Sequence, residues 1–265
     1  MQENAFSLSV ANAPPGGATV KSPRELDLMR EAGRIVALTL KHMREVLEPG
    51  MTTRDLDAIA ESDIRGMGAI PAFKGYHGFP ATLCISLNDQ IVHGIPGDLV
   101  IKKGDLVSID CGAIVGGLYG DAAVTVAAGE VPAESLRLLE VTEGSLMAGI
   151  EQVRVGHRIG DLSAAIQAYI ESQGDYGIVR EYVGHGIGRA LHEDPQIPNF
   201  GSSGRGLALR PGMAVAIEPM VNLGTHMTRT LDDDWTVVTA DGGLSAHFEH
   251  TILVTEDGPE ITTKL

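Results

Sequence analysis

The chain has 265 residues, which is enough for one large domain or two small ones and for a full hydrophobic core. Its formal net charge of −15 disfavours a general nucleic-acid surface or a surface for acidic membranes. It contains no run of about 18 apolar residues, and its N-terminus lacks the basic region and the long apolar core of a secretory signal. We therefore expect no transmembrane helix, no membrane partner, no sequence-specific nucleic-acid binding and a cytoplasmic location.

The chain has two cysteines, Cys84 and Cys111, and they do not form a CxxC pattern. Two isolated cysteines are typical of reduced thiols in a cytoplasmic protein. A single disulfide between them is the alternative.

The first half begins with two predicted helices. Residues 1–20 are polar and small, contain a Pro-Pro-Gly-Gly run, and are expected to form a loosely ordered extension. The sequence Ser22-Pro23-Arg24-Glu25 is a capping box with proline at the first helical position. It predicts a helix that runs to Glu48, and a second helix is predicted over residues 53–66.

A hairpin that carries two aspartates is predicted next. Residues 106–113 and 118–126 alternate as two strands, and Val115-Gly116-Gly117 between them is a good hairpin turn. If the turn is centred between residues 115 and 116, Asp110 and Asp121 face each other directly. Two opposed carboxylates are destabilising unless a cation lies between them, so the pairing points to a metal site.

The second half repeats the order of the first. A long helix is predicted over residues 132–153, and a second helix, capped by Asp161, is predicted to reach Ser172. Strands with further polar residues follow. No repeat is visible at the level of individual residues.

His185 lies in a frame of glycines at positions 184, 186 and 188. Alternating glycines argue against a helix and allow the backbone to approach a ligand closely. His185 is therefore a candidate ligand, whereas His42, His157 and His226 are interpreted as structural or surface residues.

Two glutamates lie beside apolar runs that are typical of buried strands. Glu218 ends the run 213–217 and is kept extended by Pro219, and Glu249 precedes the run 251–254. Glutamate is almost never fully buried without a partner, so each needs either a cation or an ion pair with a basic residue. Neither run has a basic residue close by in the sequence.

Together these motifs supply four carboxylates and one imidazole. The candidate metal ligands are Asp110, Asp121, His185, Glu218 and Glu249. The four negative charges balance two divalent cations, and such a set of ligands indicates metal-assisted hydrolysis.

The motifs, in this order, resemble those of the type I methionine aminopeptidases of the pita-bread metallopeptidase family. The resemblance extends from about residue 22 to residue 262. It rests on Gly75-Tyr76-His77-Gly78-Phe79-Pro80, Asn88-Asp89-Gln90-Ile91-Val92-His93-Gly94-Ile95-Pro96, Gly184-His185-Gly186-Ile187-Gly188, Ile217-Glu218-Pro219-Met220 and Glu249-His250-Thr251. The resemblance implies a centre of two metal ions on the five ligands, with His93 and His192 contacting the substrate.

The resemblance also implies a fold and a mechanism. The fold is α+β, with pseudo-twofold symmetry and a central antiparallel sheet flanked by helices. Residues 21–265 would form a single catalytic domain with halves at about 21–130 and 131–265. A hydroxide generated at the metal centre would attack the first peptide bond, with Glu218 moving the proton. His192 would stabilise the oxyanion, and His93 would contact the substrate amide.

A pocket for the methionine side chain is expected among Phe73, Tyr76, Phe79, Cys84 and Trp235, with core packing as the alternative interpretation. Sulfur–aromatic contacts would suit a thioether there. Three residues depart from the pattern of well-known bacterial members, where tyrosine, phenylalanine and glutamine are usual: Phe79, Leu191 and His247. These departures put the shape of the pocket and the inhibitor profile in doubt.

Other members of the fold supply the alternatives. Xaa-Pro peptidases use the same five ligands but usually carry an extra N-terminal domain, and a non-catalytic binding member would have lost its ligands. The ligand set accepts Mn, Fe, Co or Zn, so the metal is not identified. The expected partners are peptides and nascent chains with an N-terminal methionine. The family also implies transient association with the ribosome.

Overall fold

The structure, a computed structural model, describes residues 18–265. Its α-helices are α1 (Pro23–Val46), α2 (Thr53–Gly66), α3 (Ala133–Ile150) and α4 (Ile159–Gln173), and a short 3-10 helix covers Tyr76–Gly78. The capping box at Ser22 is confirmed, because its side chain and that of Glu25 cap each other's backbone N–H.

The boundaries of two predicted helices are wrong by a few residues. α1 ends at Val46 rather than Glu48, since the residue before Pro49 is disfavoured in a helical conformation. α3 ends at Ile150 rather than at Val153. Asp161 caps α4 as predicted, but from the third helical position, because the N-cap residue is Arg158. The Asp161 carboxylate accepts the backbone N–H of Arg158 at 2.7 Å.

Fifteen strands complete the fold of the described residues. They are β1 (Ile70–Pro71), β2 (Leu83–Leu87), β3 (Gln90–Val92), β4 (Leu106–Val115), β5 (Leu118–Ala127), β6 (Gly177–Ile178), β7 (Gly184–Gly186), β8 (Glu193–Ile197), β9 (Ala214–Ile217), β10 (Met220–Asn222), β11 (Thr228–Thr230), β12 (Val237–Thr239), β13 (Ser245–His247), β14 (His250–Thr255) and β15 (Gly258–Ile261). Every strand pair is antiparallel within the described residues.

Two sheets dominate, one from each half of the chain. In the first half β4 pairs with β1, β2 and β5, and in the second half the strand order is β15-β14-β9-β7-β8. Ala123 of β5 and Glu249 exchange backbone hydrogen bonds of 2.9 and 3.3 Å. These bonds join the two halves directly at Glu249, one of the predicted metal ligands, and two residues from Asp121, another.

The register of the β4–β5 hairpin differs from the predicted one. Val115 pairs with Leu118, so the turn is centred between Gly116 and Gly117, both with positive φ, as a two-residue hairpin loop requires. The predicted centre was one residue too early, which moves each cross-strand partner by two residues. Because side chains alternate with a period of two, the two aspartates still share a face of the hairpin.

The largest hydrophobic cluster of the described residues is formed by the helices and the sheets together. Val107, Ile109 and Cys111 of β4 belong to it, whereas Asp110 lies on the other face, as the alternation predicts. Both cysteines are free thiols, with Cys84 in a separate cluster on the side of the aspartates. The mixture of helices and antiparallel sheets confirms the predicted α+β class.

Most of the predicted extension, residues 1–17, lies outside the described residues. Residues 18–20 are described, and Thr19 forms a hydrogen bond to the Glu193 side chain. Among the described residues no helix is both long and apolar enough to cross a membrane.

Candidate metal centre and substrate pocket

The five predicted ligands meet in one pocket between the two sheets. Asp110 lies in β4, Asp121 in β5 and His185 in β7, while Glu218 directly follows β9 and Glu249 directly precedes β14. The pocket contains about 410 Å³ of empty space, part of it open to solvent. Its lining residues are Phe73, Tyr76, Phe79, Cys84, His93, Asp110, Asp121, His185, Leu191, His192, Glu218 and Glu249.

The donor atoms of these side chains are close enough to share cations. Ligand atoms of Asp121, His185 and Glu249 lie within 4.8 Å of one another. His185 Nε2 lies 3.6 Å from Glu218 Oε1, and the carboxyl groups of Asp110 and Asp121 are within hydrogen-bonding reach of each other. Residues far apart in the sequence therefore present one compact set of oxygen and nitrogen donors.

Buried oxygens test whether this set fits a metal. Asp110 Oδ1, Asp121 Oδ1 and Glu249 Oε1 are buried and have no hydrogen-bond partner among the described residues. A buried carboxylate oxygen is normally satisfied by a donor or a cation, so three unsatisfied oxygens around one space are costly. Divalent cations would satisfy all three, and the residues therefore fit a metal centre.

The charged forms of the four acidic side chains are unfavourable in this pocket without a cation. Burial raises the pKa of Asp110 to about 7. Burial, together with the charge of nearby carboxylates, raises the pKa of Asp121, Glu218 and Glu249 well above the ordinary value. Burial and like-charge repulsion both favour the protonated forms, and a nearby cation reverses that preference.

The tautomer of His185 is fixed by its neighbour. Its Nδ1 lies 2.9 Å from the carbonyl oxygen of Gly186, which can only accept, so Nδ1 carries the proton. Burial lowers the pKa of His185 to about 4, so the ring is neutral near pH 7. The Nε2 lone pair therefore points towards the carboxylates, the arrangement expected of a histidine ligand.

The two other predicted histidines lie in the same pocket. The ring of His192 lies 4.3 Å from that of His185, and its Nδ1 is 2.8 Å from the Tyr76 hydroxyl. His93 has a positive φ of 61° and packs edge-on against Tyr182, with 5.6 Å between the ring centroids. Burial lowers the pKa of both histidines, to about 4 for His93, so neither carries a charge near neutral pH.

Four of the five residues predicted to form the pocket for the methionine side chain lie together in the structure. Phe73, Tyr76, Phe79 and Cys84 line it, but Trp235 does not and instead packs edge-on against Phe79 at 5.0 Å. Leu191, noted in the sequence only as a departure, also lines the pocket. Burial raises the pKa of the Cys84 thiol, which keeps it neutral and apolar.

Two residues near the ligands were missed as contributors to the site. Thr251 Oγ1 accepts the Asp121 backbone N–H at 3.0 Å and donates to the Asp121 carbonyl at 2.8 Å, which fixes this ligand. His247 Nε2 lies 3.8 Å from Glu218 Oε2 and is buried without a hydrogen-bond partner in the described part of the chain. Thr251 belongs to the sequence motif around Glu249 and His247 lies two residues before Glu249, so this motif was the sequence feature that could have indicated both residues.

Comparison with known proteins identifies the family. Residues 27–256 match metallopeptidase family M24. Methionine aminopeptidase 1 of Bacillus subtilis is 53% identical over 245 residues, covering 92% of this chain and 98% of that protein. Methionine aminopeptidase 1 of Mycobacterium tuberculosis is 50% identical over 249 residues, covering 92% and 94%.

Solved structures agree with the sequence comparisons. The crystal structure of methionine aminopeptidase from Thermotoga maritima has a TM-score of 0.92 and 47% identity, covering 94% of this chain and 100% of that one. The match to prolidase from Pyrococcus furiosus has a TM-score of 0.75 and 24% identity, and it covers 93% of this chain and 65% of that one. At this identity the match shows only that the two proteins share a fold.

The fold and the ligand set define a metal-dependent peptidase with the pita-bread architecture. The chain belongs to metallopeptidase family M24, within the group that its methionine aminopeptidase relatives form. The predicted family and fold are confirmed. Members of this family bind divalent metal ions.

Proposed function

We propose that this chain removes the N-terminal methionine from polypeptides at a centre of two divalent metal ions. The observation that supports it best is the set of three buried, unsatisfied carboxylate oxygens, on Asp110, Asp121 and Glu249, in a pocket with an aromatic and aliphatic wall. The names of the relatives point to the same substrate.

The five ligands would hold the metal ions. Asp110, Asp121, Glu218 and Glu249 supply four negative charges, which match two divalent cations, and His185 supplies a neutral nitrogen. Mn, Fe, Co and Zn all suit this set. Bound divalent ions polarise a peptide carbonyl and lower the pKa of the attacking water.

Glu218 is the residue that moves the proton. It lies at the edge of the ligand set, with His185 and His247 near its two carboxylate oxygens. Burial and the neighbouring carboxylates raise its pKa in the metal-free protein, and bound cations would reverse that shift and keep Glu218 ionised, so that it can accept a proton. Glu218 takes a proton from the attacking water and passes it to the amine of the leaving polypeptide.

His192 and His93 act on the substrate. His192 donates a hydrogen bond to the oxyanion that develops on the scissile carbonyl, and its contact with Tyr76 holds its ring in place. His93 contacts the substrate amide. Both rings are neutral, so they donate hydrogen bonds without adding positive charge to a centre that already holds cations.

The pocket accepts the methionine side chain. Phe73, Tyr76, Phe79, Cys84 and Leu191 provide aromatic and small apolar contacts suited to an unbranched thioether. Burying a methionine side chain contributes roughly 1.5–3 kcal/mol. Such a pocket discriminates strongly against charged first residues and only partially against leucine.

The biological partners follow from this activity. The substrates would be peptides and nascent chains with an N-terminal methionine and a small second residue, and the site of action would be the cytoplasm, with transient ribosome association. Xaa-Pro peptidase activity is the second candidate, since the same fold and ligands serve that reaction.

A peptide panel tests the proposal. The metal-loaded protein is offered Met-Ala-Ser, Met-Gln-Ser, Leu-Ala-Ser, Glu-Ala-Ser and Ala-Pro-Ser. Cleavage of Met-Ala-Ser far ahead of the others supports methionine removal, and resistance of Met-Gln-Ser supports the limit on the second residue. Preferential cleavage of Ala-Pro-Ser would instead assign the chain to the Xaa-Pro peptidases.

A further inference from the structure

A buried ion pair lies directly beside His192, which is proposed to contact the substrate, and outside the candidate metal centre. Lys21 Nζ is 2.9 Å from Glu193 Oε2, and both side chains are almost fully buried, at 1% and 6% exposed. The Thr19 hydroxyl donates to the same carboxylate oxygen. Glu193 is the residue that follows His192, so the pair lies at the end of the loop that carries this histidine.

The other oxygen of Glu193 closes that loop, residues 187–192, which we call the His192 loop. Glu193 Oε1 accepts the backbone N–H groups of Arg189 at 2.7 Å and Ala190 at 3.2 Å. The loop leaves β7 just after His185 and returns at Glu193, the first residue of β8. One carboxylate therefore holds two backbone groups of the loop in a fixed conformation.

The lysine side chain lies flat against the loop backbone. A β-carbon added to Gly188 would lie 2.1 Å from Lys21 Cε and 3.1 Å from Glu193 Oε1. A larger residue at this position would have to displace the end of the lysine side chain. Arg189, next in the loop, also forms a two-pronged ion pair with Glu25 of α1, at 2.6 and 2.9 Å. The segment before α1 and α1 itself thus hold one side of the His192 loop.

We propose that Lys21 and Glu193 are positioning residues that act through His192. They hold the loop so that the His192 ring keeps its 2.8 Å contact with Tyr76 and its packing against His185. Neither touches the pocket, since neither is among its lining residues. This inference rests on the proposed role of His192 at the substrate carbonyl.

The test is a double-mutant cycle on the full-length, metal-loaded protein with Met-Ala-Ser as substrate. Lys21→Met keeps the length of the side chain and removes its charge. We expect kcat to fall by about tenfold, a part of the 10²–10³-fold loss from removing an oxyanion donor, with KM and metal content unchanged. In a His192→Ala background the same substitution should change kcat by less than about twofold, because coupled residues are not additive.

The chain offers a matched control and a milder variant. Lys41 on α1 is exposed and forms an ion pair with Glu45, so Lys41→Met should leave kcat unchanged in both backgrounds. If Lys21→Met does not fold, Thr19→Val removes one hydrogen bond to Glu193 and takes its place in the cycle. It should lower kcat by a few-fold in the native background and not in the His192→Ala background.

The outcomes separate this inference from the proposed function. An equal fall in kcat in both backgrounds, or a fall that follows loss of metal, would overturn the positioning role, because Lys21 would then act on stability or on the ligands. A native protein that does not cleave Met-Ala-Ser at all would overturn the proposed function itself.

Discussion

Asp110 and Asp121 lie diagonally across the β4–β5 hairpin, with Asp110 opposite Ala123 and Asp121 opposite Gly112. Their carboxyl groups nevertheless come within hydrogen-bonding reach, and each keeps a buried oxygen without a partner among the described residues. Diagonal neighbours on one face of a hairpin can share a ligand when their side chains lean together. The hairpin therefore supplies two oxygen donors to the candidate metal centre.

Asp121→Asn tests the hairpin as a metal site. The amide has the shape of the carboxylate but removes one negative charge from the candidate ligand set. Loss of a residue that only contacts a ligand lowers metal affinity by about 10–100-fold, so the loss of a ligand charge should lower it further. Titration calorimetry with Mn²⁺ or Co²⁺ measures this. Asp98→Asn, at an exposed residue paired with Arg54, is the matched control and should bind as the native protein does.

Thr251→Val tests the residue that fixes Asp121. The substitution keeps the shape but removes both hydrogen bonds to the Asp121 backbone, which leaves buried polar groups unsatisfied at a cost of about 1–3 kcal/mol of unfolding free energy. Metal affinity should fall by about 10–100-fold. Chemical denaturation and metal titration check the two effects, and native metal affinity in the variant would show that Thr251 only stabilises the fold.

The raised pKa values of the ligands predict a specific pH dependence. The pKa of Asp110 is about 7 in the metal-free protein, far above its unfolded value, so the folded state binds the extra proton and stability falls as pH rises towards and through 7. Metal binding must displace protons from these carboxylates and should therefore strengthen over the same range.

Thermal unfolding between pH 6.5 and 8 measures this effect. Five buried histidines have lowered pKa values and oppose this trend, because in the unfolded state they still bind protons near pH 6.5: His93, His185, His192, His247 and His250. The effect of the acids is therefore measured as the gain in thermal stability on binding metal, which should increase as pH rises over this window. A gain that stays constant or falls as pH rises would contradict the assignment of buried acids.

Trp235→Ala tests the aromatic support of the pocket. Trp235 packs edge-on against Phe79, and such a contact contributes about 0.5–1.5 kcal/mol beyond buried area. KM for Met-Ala-Ser should rise by about two- to tenfold, since about 1.4 kcal/mol corresponds to a factor of ten. Metal content should stay unchanged, and Trp235→Phe should restore most of the loss. A fall in kcat alone would place Trp235 at the reacting bond instead.

The five candidate ligands could be selected from the sequence because each has a local signal, and the structure places all five in one pocket. Alternation in β4 placed Asp110 on the face away from the core, and the glycines around His185 predicted an extended, closely approached backbone. Even the wrong turn centre in the β4–β5 hairpin kept both aspartates on one face, because an error of one residue there moves the partner by two. Local rules of this kind tolerate small errors in register.

Contacts between distant segments could not be predicted in this way. Lys21 and Glu193 are 172 residues apart, and nothing near either residue in the sequence indicates its partner. His247 reaches Glu218 only because β10, which follows Glu218, pairs with β13, which ends at His247. Trp235 was expected in the pocket on the basis of its loop-like surroundings, but its side chain supports Phe79 from behind.

Metal removal and replacement during hydrolysis of Met-Ala-Ser tests the central claim most directly. The protein is stripped with a chelator, its residual metal is measured, and divalent ions are returned stepwise while the rate is followed beside an Asp121→Asn sample. We predict that the stripped protein is inactive, that the rate returns as metal binds to the chain, and that Asp121→Asn does not recover at the same metal concentrations. Full cleavage of Met-Ala-Ser by protein with no measurable metal would contradict a metal-dependent methionine aminopeptidase.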